Sequence, residues 1–172
     1  MNIYLIGMMG SGKSTVGKIL AKKLDLPFMD LDHYIEVKSN KSISEIFKND
    51  GEPHFRELES DALFHIEKSK VLVACGGGIV LNKTNRDKLR STGKVVLLKA
   101  SIPEIANRLK DAIDRPLLQE NERIQELTKI WSERKDYYKE TAHIILNTDG
   151  QSPNDISRSE EHTSELQSRE TI

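Results

Sequence analysis

A doubly wound α/β domain with a parallel sheet of about five strands is predicted by three observations. Apolar runs alternate with helical patterns along the whole chain. The runs carry Val, Leu and Ile on consecutive positions, as strands covered on both faces require. The first run, Ile3-Tyr4-Leu5-Ile6, leads directly into a glycine loop and then an amphipathic segment with Val16, Ile19, Leu20 and Leu24 at helical spacing. Strands are expected at Ile3–Ile6, Phe28–Leu31, Val71–Cys75, Val95–Lys99 and Ile144–Asn147. Helical patterns cover Lys13–Leu24, Ile43–Phe47, Glu52–Lys68, Asn82–Arg90, Ile102–Lys110 and Asn121–Lys139. Ser42-x-x-Glu45 and Ser101-x-x-Glu104 fit capping boxes, which mark two helix starts. In such a fold ligands sit at the carboxyl ends of the strands, so residues just after each strand should converge.

The bulk properties narrow the class. A chain of 172 residues is about one domain, large enough for a core without metal or disulfide staples. Its formal net charge of −1 gives no broad basic field, so nucleic acid is not an expected partner. A single cysteine, Cys75, excludes an internal disulfide and suits a reducing compartment. The N-terminal apolar run stops at Gly7, too short for a signal peptide or a membrane span. Charged residues make up 31% and hydrophobic ones 37%, which reads as soluble and globular; a cytoplasmic monomer is the expectation.

After the first strand stands Gly7-Met8-Met9-Gly10-Ser11-Gly12-Lys13-Ser14-Thr15. The pattern G-x4-G-K-[ST] between a strand and a helix is a phosphate cradle, the P-loop. Its glycines, Gly10 and Gly12 among them, let successive backbone N–H groups curl round an anion. The helix that follows adds its unpaired first-turn donors. Lys13 is expected at the β- and γ-phosphates of ATP, with the Ser14 hydroxyl on Mg2+; Ser11 and Thr15 complete the nucleotide contacts. The bland alternative, a glycine turn before an ordinary helix, leaves the Lys, the Ser and the flanks unexplained.

After the second strand come Asp30 and Asp32, alternating so that one faces the loop and the other the cleft. One of them suits the water shell of a magnesium ion. In Gly51-Glu52-Pro53-His54-Phe55-Arg56-Glu57-Leu58-Glu59, Pro53 fits a first helical turn and puts Arg56 and Glu59 on one face. An arginine fork there suits a small carboxylate, although an Arg three residues from a Glu is usually a surface pair. After the third strand Cys75 leads into Gly76-Gly77-Gly78, where a close approach of backbone to ligand would offset the entropy cost.

Together these residues resemble the shikimate kinase family. Arg56-x-x-Glu59-x3-Leu63 followed by Leu72-Val73-Ala74-Cys75-Gly76-Gly77-Gly78-Ile79-Val80 is similar to its signature. The P-loop, Asp30-x-Asp32, Gly51-Glu52-x-x-Phe55-Arg56 and Arg115-Pro116-Leu117-Leu118 follow in the same order, and the likeness runs from Ile3 to about Ser157. The resemblance implies ATP-dependent phosphorylation of the shikimate 3-hydroxyl on the way to chorismate and the aromatic amino acids. It implies a P-loop fold with a substrate-binding helical segment and a mobile lid. Asp32 would accept a hydrogen bond from the attacking hydroxyl, either orienting it only or also taking its proton. Arg56, Gly77 and Arg134 would hold the ring substituents beside Gly76 and Gly78, with Phe55, and Phe47 beside it, as apolar wall. Asp30 would hold a magnesium-bound water and Arg115 would close over the phosphates from the lid. Arg108 would stack on adenine or else merely cover its helix.

The residues of the lid agree with that implication: Asp111–Glu120 has no helical periodicity, and Arg115-Pro116 interrupts the pattern. Near the last helix, Asp136-Tyr137 replaces the Pro-Leu of the family before a tyrosine. Trp131 reads as packing, and His33, His54, His65 and His143 show no ligand spacing. Asp149-Gly150-Gln151-Ser152-Pro153 is a turn suited to lie against adenine. Beyond it, Arg158–Ser168 is the string that a short-read sequencing adapter encodes in one frame. Residues 1–157 are therefore expected to form the domain and residues 158–172 a non-native tail that would leave one sheet face short of its last helix. The competing readings are a kinase of another small hydroxy acid such as gluconate, and a catalytically silent nucleotide-binding module.

Overall fold

The structure, a computed structural model of the chain, describes residues 1–67, 70–110 and 120–158. Arg115, with nearly all of the expected lid, and residues 159–172 of the expected tail lie outside the described residues.

Five strands form one all-parallel sheet in the order β2-β3-β1-β4-β5: β1 Asn2–Ile6, β2 Phe28–Asp30, β3 Leu72–Ala74, β4 Gly93–Lys99 and β5 Ile144–Asn147. The helices are α1 Lys13–Lys23, α2 Leu31–Ser39, α3 Ile43–Asn49, α4 Glu52–His65, α5 Lys83–Thr92, α6 Ile102–Leu109, α7 Glu120–Thr141 and α8 Pro153–Ile156. The predicted doubly wound class holds because strand side chains alternate between two apolar layers. Ile3, Leu5, Leu72, Val96 and Leu98 pack with Val16 and Leu20 of α1 and Ile156 of α8. Tyr4, Ile6, Val73, Val95 and Leu97 face the other way, against α2, α4, α5, α6 and α7. Among the described residues no helix is long and apolar enough to cross a membrane.

Two local departures from the sequence pattern matter for the site. The second strand ends at Asp30 instead of Leu31, because Asp30 caps a helix: its carboxylate accepts the His33 N–H at 3.2 Å. The helix it starts, α2, was not among the expected elements and ends at Asn40, whose φ of 52° is left-handed. The turn expected over Asp149–Pro153 forms at Asp149-Gly150, with Gly150 at φ 67°, and its last residue already starts α8, which is closed by a capping box between Ser152 and Asp155 and tied to α1 through Lys23 Nζ on the Ser157 carbonyl. The Ser42–Glu45 box forms in full. At Ser101 only the hydroxyl half is present, because Glu104 turns to pair with Arg108 at 3.0 Å.

Candidate active site

The carboxyl end of β1 opens into the phosphate loop. Gly10 and Gly12 sit at φ 75° and 94°, a region that β-carbons disfavour, so the loop closes only with glycine there. Gly12 is the N-cap of α1 and supplies no side chain to its free N–H groups, which leaves them to an anion. Ser11 Oγ is buried without a hydrogen-bond partner among the described residues. Lys13 Nζ donates to the carbonyls of Gly7 and Met8, both at 2.9 Å. Burial lowers its pKa to about 8, against the pull of Asp32 in the opposite direction. Ser14 and Thr15 lie exposed at the start of α1, and the Ser14 hydroxyl donates to the Asp30 carboxylate.

Asp32 projects from the first turn of α2 into a pocket of about 690 Å3. Burial pushes its carboxyl above the ordinary carboxylate range; Asp30 adds to the rise and Lys13 opposes it. Phe55, Arg56 and Glu59 of α4, Phe47 of α3, the three glycines after β3 and Arg134 of α7 line the same pocket. The rings of Phe47 and Phe55 are 4.8 Å apart and make its apolar wall. Met9, itself part of the phosphate loop, also lines it, so the loop and the pocket are contiguous.

Arg56 is held on several sides. Its Nη1 donates to the buried Glu59 at 2.9 Å, and its Nε and Nη2 donate to Glu52 at 3.3 and 3.1 Å. Burial raises the Glu59 pKa and Arg56 draws it back down. The triple glycine, expected to admit a ligand, makes room first for protein groups. A β-carbon on Gly78 would stand 2.3 Å from Arg56 Nη1; one on Gly76 would stand 2.6 Å from Glu59 Oε1 and 2.9 Å from Asp32 Oδ1. A β-carbon on Gly77 would stand 3.6 Å from Arg134 Nη1 and 3.4 Å from the Met9 amide. None of the three has a left-handed φ, so space, and not backbone freedom, demands them.

Sequence reasoning passed over Tyr138. It is fully buried, and its hydroxyl donates to the Gly77 carbonyl, which docks α7 against the glycine turn one helical turn beyond Arg134. Burial pushes its pKa up to about 12. The available signal was its i, i+4 spacing from Arg134 on one helix face. Arg86 acts from behind: its Nη1 bonds the Val80 carbonyl at 2.8 Å and its guanidinium lies 4.3 Å over the Tyr137 ring. Asp32 Oδ1, Glu59 Oε1 and Arg134 Nε are buried without partners among the described residues, and all three belong to pocket-lining side chains. Such a cluster is what a polar ligand would satisfy.

Arg108 donates to the Gly10 and Ser11 carbonyls of the phosphate loop, each at 3.3 Å, and to the Thr148 carbonyl at 3.2 Å. It thereby ties the phosphate loop to the end of β5. Pro153 is exposed at the first turn of α8, beyond that junction.

A model of the shikimate kinase family matches residues 9–167 of the chain. The shikimate kinase of Sulfurihydrogenibium sp. (strain YO3AOP1) is 43% identical over 156 residues, which cover 90% of this chain and 92% of that protein. That of Paracidovorax citrulli (strain AAC00-1) is 41% identical over 150 residues, 86% of this chain and 82% of that one. Among solved structures, shikimate kinase from Acinetobacter baumannii in complex with shikimate aligns with a TM-score of 0.88 at 35% identity, over 99% of this chain and 95% of that one. A gluconokinase from Sinorhizobium meliloti aligns at 0.55 with 18% identity over 91% of this chain and 87% of that one, a likeness of fold alone.

Proposed function

The chain belongs to the shikimate kinase family, and from that premise we propose that it moves the γ-phosphoryl group of ATP to the 3-hydroxyl of shikimate, giving shikimate 3-phosphate. The observation that carries this reading is one pocket holding Asp32, Arg56, Gly77 and Arg134 whose wall, at Met9, is the phosphate loop itself. Phosphoryl transfer through a loose transition state depends on alignment and charge stabilisation more than on covalent chemistry. Arg56 and Arg134 take the substrate carboxylate, and Phe55 with Phe47 packs the ring. Asp32 accepts the proton side of the attacking hydroxyl; its raised pKa makes it a stronger acceptor than an exposed carboxylate.

Lys13 turns from the Gly7 and Met8 carbonyls to the transferred phosphoryl group, within the cradle made by Gly10, Ser11, Gly12 and Thr15. Gly76 and Gly78 keep Asp32, Glu59 and Arg56 close packed. The Ser14 hydroxyl and Asp30 carboxylate, already in contact, fit a magnesium ion, Ser14 directly and Asp30 through water. When bound, Mg2+ neutralises charge on the β- and γ-phosphate oxygens. Arg108 and Pro153 flank the adenine end, and Arg115 closes over the phosphates from the segment after α6. The working unit is residues 1–157, and residues 158–172 are foreign to it; resequencing with independent primers tests that division. The protein works as a cytoplasmic monomer.

A coupled assay of ADP release with shikimate, gluconate and nucleoside monophosphates tests the function. Turnover with shikimate well above the others is expected. Preference for gluconate would move the chain to a different acceptor, and release with none of them would leave a nucleotide-binding module.

A further inference from the structure

The pairing of Arg56 raises a question of charge. All three guanidinium nitrogens already donate to carboxylates of the protein, Nη1 to Glu59 and Nε with Nη2 to Glu52. A substrate carboxylate shared between Arg56 and Arg134 would stand beside the two carboxylates already on Arg56, and like-charge repulsion resists that. Two of the five guanidinium N–H groups remain for it, so the repulsion, and not a lack of donors, favours departure of one resident carboxylate. Glu59 is 1% exposed and fixed beneath Gly76. Glu52 is 56% exposed, sits in the first turn of α4 and is held only at its end.

A second cavity, of about 460 Å3, lies on the far side of the pair. Glu52, Arg56, Glu59 and Gly78 line both spaces, so the Glu52–Arg56 bridge forms part of the partition between them. The second space also presents Ser60, Asn82 and Asn85. The Asn82 carbonyl oxygen is taken by the Thr84 N–H, which leaves its amide N–H groups to donate, and Ser60 adds a hydroxyl. A carboxylate that leaves Arg56 therefore has room in a space that its own side chain already lines and that holds hydrogen-bond donors beside the Asn85 Oδ1 acceptor.

We propose that Glu52 competes with the substrate carboxylate for Arg56, and that binding is a partner exchange in which Glu52 swings from the guanidinium into the cavity behind it. Glu52 thus sets the affinity for anionic substrates by occupying Arg56 in their absence. It favours ligands whose carboxylate can displace it and weakens those that offer only hydroxyls. The inference rests on the reading of Arg56 as the carboxylate clamp.

Calorimetric titration with shikimate and steady-state kinetics on Glu52→Gln, Glu52→Ala and Arg56→Gln test it. Loss of a competing exposed carboxylate is expected to tighten shikimate binding by about two- to fivefold in both Glu52 variants. KM should fall with kcat unchanged, since the competition is settled before the chemical step. Shikimate binding that is unchanged or weaker in the Glu52 variants, while Arg56→Gln binds poorly, would overturn the exchange and leave Arg56 as the clamp. Undiminished binding by Arg56→Gln would overturn both.

Discussion

At Gly78 the guanidinium of Arg56 lies where a β-carbon would stand, 2.3 Å from its position, although the backbone there, at φ −97°, accepts any residue. Gly78→Ala should therefore act through displacement of Arg56 alone. Because that guanidinium is pinned by Glu59 and Glu52, it cannot move aside without losing its aim. Misplacement of a substrate-holding group by about 1 Å costs up to roughly a hundredfold, so the KM for shikimate should rise by about tenfold or more. The KM for ATP should stay level; steady-state kinetics with each substrate varied in turn checks this. Lys13 gives a second prediction at this scale. Only its protonated form holds phosphate, and its pKa in the free protein is about 8. The pH profile of kcat/KM for ATP should fall on the alkaline side near pH 8, while kcat falls later because bound phosphate favours the charged amine. A kcat/KM flat to well above pH 8 would remove Lys13 from phosphate binding. Among the site residues, the motif spacing was enough to bring Asp32, Arg56 and the glycines to one place. The reason for the glycines was not legible: a string of letters shows that β-carbons are missing, and only packing shows that Arg56, Glu59 and Asp32 fill the space.

At the scale of elements, α7 is held to the glycine turn by one buried hydroxyl, Tyr138 on the Gly77 carbonyl. Tyr138→Phe keeps the ring stacked on Trp131, 5.9 Å away, and removes the donor to Gly77 together with the hydroxyl's hydrogen bond with Arg134. An unsatisfied buried carbonyl costs about 1–3 kcal/mol, which in a domain of this size lowers Tm by about 2–4 °C per kcal/mol. Since Arg134 lies one turn before Tyr138, the KM for shikimate should rise with the loss of Tm. Calorimetric melting and kinetics on the same preparation check the pair, and a Tm drop with KM unchanged would make Tyr138 structural only. The strands were legible because buried parallel strands are nearly continuous apolar runs. Helix α2 was not, because it begins at the residue after β2 with no intervening loop, and Leu31 extends the apolar run of Phe28-Met29 by one position. Asp30 drew attention as a metal ligand when it was also an N-cap. The stop at Asn40 and the spacing of Leu31, Tyr34 and Ile35 carried the helix signal.

For the molecule as a whole, the placement of a carboxylate beneath the phosphate end sets function against stability. Burial holds the Asp32 pKa above the ordinary carboxylate value, with Asp30 adding to the effect. The folded chain thus grips that proton more tightly than the unfolded chain does. The resulting stabilisation is complete below about pH 4, where an ordinary carboxylate titrates, and is lost as pH rises through the folded value. At neutral pH the charged Asp32 is a net cost of folding. The sheet order β2-β3-β1-β4-β5 explains why the fold bears it: β2, β3 and β1 are successive neighbours, so the start of α2, the glycine turn and the phosphate loop are gathered at their carboxyl ends. Two well-covered apolar layers, one on each face of that sheet, supply the stability that the site subtracts. Asp32→Asn keeps the shape and removes the charge. It should raise Tm at pH 7, give no gain below about pH 4, abolish phosphoryl transfer and leave ATP binding largely intact. Melting curves across pH, ADP-release assays and nucleotide titration on one variant read all four outcomes. A variant that still transfers phosphate would take Asp32 out of the mechanism, whereas a Tm that falls at pH 7 would mean that its charge is held by partners and not merely tolerated.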